Sequence, residues 1–236
     1  VVHGYVQSFG AGGRDFWTLK LDSNGNHLWN ATAGGTGDDL GYAAVVDSLD
    51  NVVVTGRSAL VGGAPDYDVL VVKYSSEGGV LWSNSFGGDD TDFAEGIRVD
   101  SENNVFLSGR TNSFGVEGLS DFWTLKLDSE GNQLWNTTFG GSGYDYGQGM
   151  AVDSMNNPIV IGRTNSFGVD NYDFLIVKYA STTKSLISTS LAYPFYTNKT
   201  SNPFTTSSLS SGESEEIVFY VNATGSNSST YEFYAY

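Results

Sequence analysis

The chain has no cysteine, which removes a disulfide framework, thiolate zinc sites, iron–sulfur clusters and cysteine nucleophiles together. Histidine is almost as scarce. His3 and His27 are the only two, too few for a histidine metal site, and any serine–histidine triad would have to use one of them. Basic residues number 11 against 27 acidic ones, a formal net charge of −16, and this argues against nucleic acid as a partner because phosphates need a basic face. Apolar runs are short. Asn51-Val52-Val53-Val54 and Phe174-Leu175-Ile176-Val177 are strand-sized, far below the ~18 residues that span a bilayer, so no transmembrane segment is expected. Neither a methionine nor a signal peptide precedes the body of the chain at Val1, which reads as a processed product or a fragment. Proline occurs four times, as ladder-forming strands require.

Aromatic residues, by contrast, reach 14%. Together with polar turn residues they predict an all-β protein with a large core. Self-similarity decides the architecture. Asp15, Asp68, Asp121 and Asp173 each open a strand-like run ending in Lys-Leu or Lys-Tyr, and their spacings are 53, 53 and 52 residues. Trp29, Trp82 and Trp135 recur at 53, as do Asp47, Asp100 and Asp153, while Gly4, Gly56, Gly109 and Gly162 recur at 52, 53 and 53.

Each period reads as four short strands. Gly41 to Asp47 is followed by Val52 to Arg57, Val69 to Tyr74 and Val80 to Phe86, with Asp/Asn/Ser/Gly turns between them. Within the third, Leu70 and Val72 share one face and Val69, Val71 and Lys73 the other. Such a sheet cannot bury both faces alone, so the sheets must pack radially as the four-stranded blades of a β-propeller. Small residues in the innermost strand (Gly41, Ala43, Ala44; Ala94, Gly96; Gly147, Gly149, Ala151) fit the crowding at a common axis, and tryptophans occupy the roomier outer strands.

The pattern Gly-Gly…Asp…Gly…Val-Asp-Ser…Asn-x-Val/Ile-x-x-Gly-Arg-Thr-Asn-Ser-Phe-Gly…Asp-Phe…Lys-Leu-Asp-Ser-x-Gly-Asn…Leu-Trp resembles the SBBP-type β-propeller repeat of bacterial and archaeal secreted and surface proteins. It covers residues 1–184. The resemblance implies a propeller and an extracellular, cell-surface setting, and it carries no catalytic residues. Residues 185–236 change character: Ser and Thr dominate and the blade pattern stops. Two further strands are expected at Glu216 to Asn222 and Thr230 to Tyr236. The run Pro194-Phe195-Tyr196…Asn202-Pro203-Phe204…Val221-Asn222-Ala223-Thr224-Gly225…Tyr231-Glu232-Phe233 resembles short immunoglobulin-like modules of archaeal cell-surface proteins. Fifty residues make a poor independent core, so this Ig-like tail is expected to lean on the propeller or on a neighbour.

The strand tally is 3 + 4 + 4 + 4, because Val1 to Ser8 aligns with a second strand and Lys184 to Thr189 supplies the last outer strand. Blade one therefore lacks its innermost strand. An open edge invites strand pairing. Three sources stay open: more blades in a longer chain, a C-terminal strand in cis, or a strand donated by a neighbouring subunit. The expected assembly surface is Val1, Val2, Gly4 and Tyr5 with Ile217, Phe219, Val221, Tyr231 and Phe233 of the tail.

Sequons at Asn30, Asn136, Asn198, Asn222 and Asn227 are candidate glycosylation sites, the first two at the end of an outer strand on the rim. Asp89, Asp90 and Asp92 are a weak calcium candidate. The turns at Asp22 and Asp128 offer alternate oxygens but lack the distant glutamate of a calcium loop, so they read as hairpin turns. The repeated Asp15, Asp68, Asp121 and Asp173 are expected to pair with Arg57, Arg110 and Arg163 or to cap turns; blade one has Tyr5 at the arginine position. Lys20, Lys73, Lys126 and Lys178 read as strand lysines. No cofactor is called for and no enzyme is expected. The function these features favour is an extracellular structural protein that builds a layer or filament from copies of itself. The alternative is an adhesin or glycan-binding module using Phe114, Phe167 and Tyr172 at one mouth.

Overall fold

A computed structural model describes residues 1–59, 66–115, 119–167 and 172–182. They form four antiparallel sheets in chain order. Sheet one holds β1 (Val2–Val6), β2 (Asp15–Leu21) and β3 (His27–Ala33). Sheet two holds β4 (Leu40–Val46), β5 (Val52–Ser58), β6 (Asp68–Tyr74) and β7 (Val80–Phe86). Sheet three holds β8 (Asp92–Val99), β9 (Val105–Thr111), β10 (Asp121–Leu127) and β11 (Gln133–Phe139). Sheet four holds β12 (Asp145–Val152), β13 (Pro158–Thr164) and β14 (Asp173–Lys178). Each is a meander of neighbouring strands, so the four-strand period holds in the two complete sheets and sheet one begins at its second strand. The outer strand expected at Lys184 to Thr189, and the whole Ig-like tail with its candidate residues, lie outside the described residues.

The turns follow from the carboxylate that opens them. Asp47 Oδ1 accepts the amides of Leu49 and Asn51, both at 2.9 Å, and Oδ2 accepts the Asn51 side-chain amide. Asp50 can then take φ 63°, and Asn103 and Asn156 do the same in the next two periods. Asp22 and Asp128 fix the β2–β3 and β10–β11 hairpins in the same way, with Gly25 and Gly131 left-handed at φ 84° and 88°.

A bulge interrupts the innermost pairing of sheets two, three and four: register shifts between Gly41 and Ala43, between Ala94 and Gly96, and between Gly147 and Gly149. The bulge pushes a carbonyl over the facing strand, where the residue opposite is Gly56, Gly109 or Gly162. A Cβ on Gly56 would collide with the Leu40 carbonyl oxygen, one on Gly109 with that of Phe93 and one on Gly162 with that of Tyr146. Glycine at this position is a packing requirement of the inner strand.

The cores lie between the sheets, one per interface. Phe16 of sheet one packs with Val52, Val54, Leu70, Val72 and Tyr74 of sheet two. Val53, Val69 and Val71, on the opposite face of sheet two, meet Ile97, Leu107, Trp123 and Leu125 of sheet three. Phe106 and Phe122 of sheet three meet Met150, Val160, Leu175 and Val177 of sheet four. Every sheet thus has a front, turned to the next sheet, and a rear, turned to the one before. The alternation of β6 falls as its sequence predicts, with Leu70 and Val72 at the rear and Val69 and Val71 at the front.

A polar latch repeats at each interface. Trp29 Nε1 donates to the Ser76 carbonyl at 2.9 Å, Trp82 to Ser129 at 3.0 Å and Trp135 to Ser181 at 2.8 Å. Beside them Lys20 reaches the same Ser76 carbonyl, Lys73 the Ser129 carbonyl, and Lys126 the Ser181 hydroxyl. The lysines are held by aspartates: Lys73 by Asp47 at 2.9 Å, Lys126 by Asp100 at 3.7 Å and Lys178 by Asp153 at 2.7 Å. In sheet one, whose first described strand is β1, Lys20 takes Asp50 of the next sheet instead, at 2.6 Å. Burial alone would raise the Asp47 carboxyl, but the hydrogen bonds from Asn51 and Lys73 outweigh it and hold the group below the usual carboxylate range.

Candidate functional site

The repeat makes departures from symmetry visible, and the largest is at β1. Its inner edge faces no described strand, whereas β5, β9 and β13 each carry β4, β8 or β12 there. At Gly4 a Cβ would meet no atom within 4 Å, although the other three glycines of the series are pressed by an inner-strand carbonyl. Val1, Val2 and Tyr5 are exposed at 46%, 50% and 52%. His3 is turned inward: Nδ1 lies 3.0 Å from Thr18 Oγ1, the ring meets Phe16 edge-on at 5.1 Å, and burial lowers its pKa to about 4. The imidazole is therefore neutral at neutral pH where it packs between sheet one and Gly41 of sheet two.

The loop end of each interface carries a second repeated device. Asp39, Asp92 and Asp145 accept the amides of Gly35, Gly88 and Gly141, and each is bound by the serine Ser58, Ser113 or Ser166. Asp15 Oδ2 accepts the Ala11 amide, the turn-capping role expected of that series. Burial pushes the carboxyls of Asp92 and Asp68 up, and the Asp92 charge adds to the effect on Asp68. Asp92 is fully buried at the start of β8 while Asp89 and Asp90 are exposed in the turn before it, so the fold separates the three calcium candidates. Among the described residues no group of three or more His, Cys, Asp or Glu side chains is placed to hold a metal ion.

The expected Asp–Arg pairs do not form among the described residues. Arg57 lies over Tyr67 at 4.3 Å and Phe93 at 5.0 Å, Arg110 over Phe93 at 4.3 Å and Tyr146 at 4.7 Å, and Arg163 over Tyr146 and Tyr172, both at 4.7 Å. The register explains why: Asp68 faces Ser58, and Arg57 faces Val69. Arg57 is thereby placed between Tyr67 of its own sheet's loop and Phe93 of the next sheet, Arg110 between Phe93 of its own inner strand and Tyr146 of the next sheet, and Arg163 between Tyr146 and Tyr172 of its own sheet, and each guanidinium's flat face stacks on its rings. Tyr5 continues the ladder in sheet one, with Arg14 over its ring at 5.5 Å. The chain's aromatic residues were the signal for this ladder: Phe93 and Tyr146 stand one period apart, at 53 residues, and Tyr67 and Tyr172 two periods apart, at 105.

Phe114 and Phe167 lean on Trp123 and Phe139, at 5.5 and 5.6 Å, so these rings are loop anchors; Phe114 is still 43% exposed. Tyr172, also 43% exposed, sits against Tyr146 at 5.8 Å. Asn30 is exposed, and both it and Asn136 fall in the middle of their outermost strands β3 and β11, not at the ends. Asn30 Nδ2 lies 2.9 Å from His27 Nε2. Asn198, Asn222 and Asn227 are outside the described residues.

No family model matches the chain. It is similar to an uncharacterised WD repeat-containing protein of Acanthamoeba polyphaga mimivirus, 21% identical over 201 residues, which is 72% of this chain and 14% of that protein. The chain thus spans a small part of the length of the curated relative it matches. Repeated antiparallel sheets and a WD-repeat relative together define a β-propeller-like repeat protein. No helix of the described residues is long and apolar enough to cross a membrane.

Proposed function

We propose that the protein is a non-enzymatic, extracellular structural module that builds a surface layer or filament from copies of itself by adding a strand to β1. The observation that carries this is Gly4. Three of four equivalent glycines exist to admit a bulged inner strand, and the fourth has the same residue with the place beside it open. SBBP-type repeats and sequons on an acidic chain of net charge −16 support the extracellular setting. The tail segments Ile217 to Val221 and Tyr231 to Tyr236, expected as strands from the sequence, are the donors this reading favours.

Gly4→Ala tests it. The added methyl costs the isolated chain nothing, since no atom lies within 4 Å, but it meets the carbonyl of any incoming bulged strand. Electron micrographs of the variant should show folded particles without layers or filaments. Polymers as abundant as in the wild type would refute strand addition at β1.

A further inference from the structure

The geometry points to a second assembly surface: the front of sheet four docks the rear of sheet one of another copy of this chain, head to tail. The inference rests on the self-assembly reading but uses sheet faces instead of the β1 edge, so either can fail without the other.

Among the described residues no sheet covers either of these apolar faces, and the molecule's own three interfaces say what fits them. Phe174, at the front of sheet four, is 70% exposed, whereas its counterparts Phe16, Val69 and Phe122 are all at 0%. Val2, at the rear of sheet one, is 50% exposed, whereas its counterparts Val54, Leu107 and Val160 lie between 0% and 2%. Leu19 and Trp17 on β2 are half-buried where Val72 and Leu70 of sheet two are covered. In every interior interface the occupant of a front face is the rear face of the same repeat.

The polar latch is split between the same two ends. Gly78 and Gly131 are packed against Trp29 and Trp82 of the preceding sheet, 2.8 Å from a Cβ placed on them. Their counterpart in sheet one, Gly25, would meet nothing within 4 Å, and the carbonyl of Ser23 beside it corresponds to the acceptors Ser76 and Ser129. Sheet four supplies Lys178, the counterpart of the lysines that reach those acceptors. Two fronts facing each other would set Lys178 and Arg163 against their own copies, a like-charge contact that head-to-tail docking avoids. Asn30 is on the rear of the outermost strand, and its counterpart Ser83 stays exposed although sheet two is packed, so a glycan there leaves the interface free. Such a heterologous contact closes into a ring or runs on as a fibre. Two chains of four sheets make eight, within the range of propeller rings.

The test uses the 236-residue chain with Phe174→Asp and Leu19→Asp, one charge on each face, measured by light scattering on a sizing column. Phe174 is largely exposed, so its substitution leaves the fold intact, and circular dichroism checks both variants. Each variant alone should associate about 30-fold more weakly than the wild type or not at all. Mixed in equal amounts they should form a one-to-one pair, because one keeps a good front and the other a good rear. A wild-type chain that is monomeric at tens of micromolar would overturn the proposal, and that includes one whose own tail covers the faces. Association equal to wild type in both charged variants, or a mixture that stays monomeric, would overturn it as well.

Discussion

Identical substitutions at equivalent glycines should have opposite consequences. A Cβ on Gly109 would overlap the Phe93 carbonyl oxygen, sit 2.7 Å from its carbon and 2.9 Å from the Ala94 Cα. All three are backbone atoms, so no side-chain rotation relieves the contact. β8 and β9 must move apart at the bulge by about the shortfall from ordinary contact. Overpacking of this kind costs about 1–3 kcal/mol, and each ladder hydrogen bond weakened beside it adds up to about 1 kcal/mol. Gly109→Ala should therefore destabilise by about 2–4 kcal/mol. Gly4→Ala meets nothing, and its effect should stay within about 0.5 kcal/mol, or favour the fold slightly because the unfolded chain loses freedom. Urea titrations followed by tryptophan fluorescence give both values. The reasoning fails if the two variants shift the midpoint equally, since glycine would then serve some need other than the carbonyl of a bulged strand.

The buried pair predicts that Lys73→Met, which leaves Asp47 at 0% side-chain exposure without its cation, costs about 3–5 kcal/mol by chemical denaturation. The same change at Lys20, whose partner Asp50 is 67% exposed, should cost under about 1 kcal/mol. His3 gives a pH signature: with a pKa of about 4 in the fold and 6.5 unfolded, the unfolded chain binds the extra proton. Its contribution is complete above pH 6.5 and falls as the pH drops to 4, by roughly 3 kcal/mol, and His3→Gln should flatten that part of the pH–stability profile. Trp82→Phe removes the bond to Ser129 and should cost about 1 kcal/mol beyond the change in packing, read as a lower melting temperature. Head-to-tail association of a chain at −16 should strengthen between 0.02 and 0.2 M salt (order-of-magnitude bounds, about 20 to 7 Å of screening length), and sedimentation measures this.

Local patterning made the strands legible. The two-residue alternation of β6 and the Asp-x-x-x-Asn turns specify face and hairpin from neighbours in the chain, and the structure places them as read. The repeat of Asp, Trp, Lys and Gly announced one sheet per period, and the position of Gly4 in its series placed β1 as a second strand. What each repeated residue touches was less legible. Arginine and aspartate recur at neighbouring strand ends and invite an ion pair, but a register one residue away from that pairing gives the arginine to aromatic rings. The lysines looked like ordinary strand residues, yet Lys20, Lys73 and Lys126 are buried between two sheets with an aspartate and a turn from the next sheet, and Lys178, 24% exposed, keeps the aspartate alone among the described residues. Asp92 looked like one of an acidic trio, and burial separated it from Asp89 and Asp90.

By itself the sequence determined what depends on residues close together: strand period and turn chemistry. Only the tertiary structure decided the partners across 46 to 56 residues, the tryptophan and lysine latches that tie one sheet to the next. A repeat spells each unit alike, but packing gives every unit a front and a rear. Among the described residues sheets two and three bury both faces, while the rear of sheet one and the front of sheet four meet no described sheet, a difference set by the neighbours each sheet has in space and not by the residues of its own repeat.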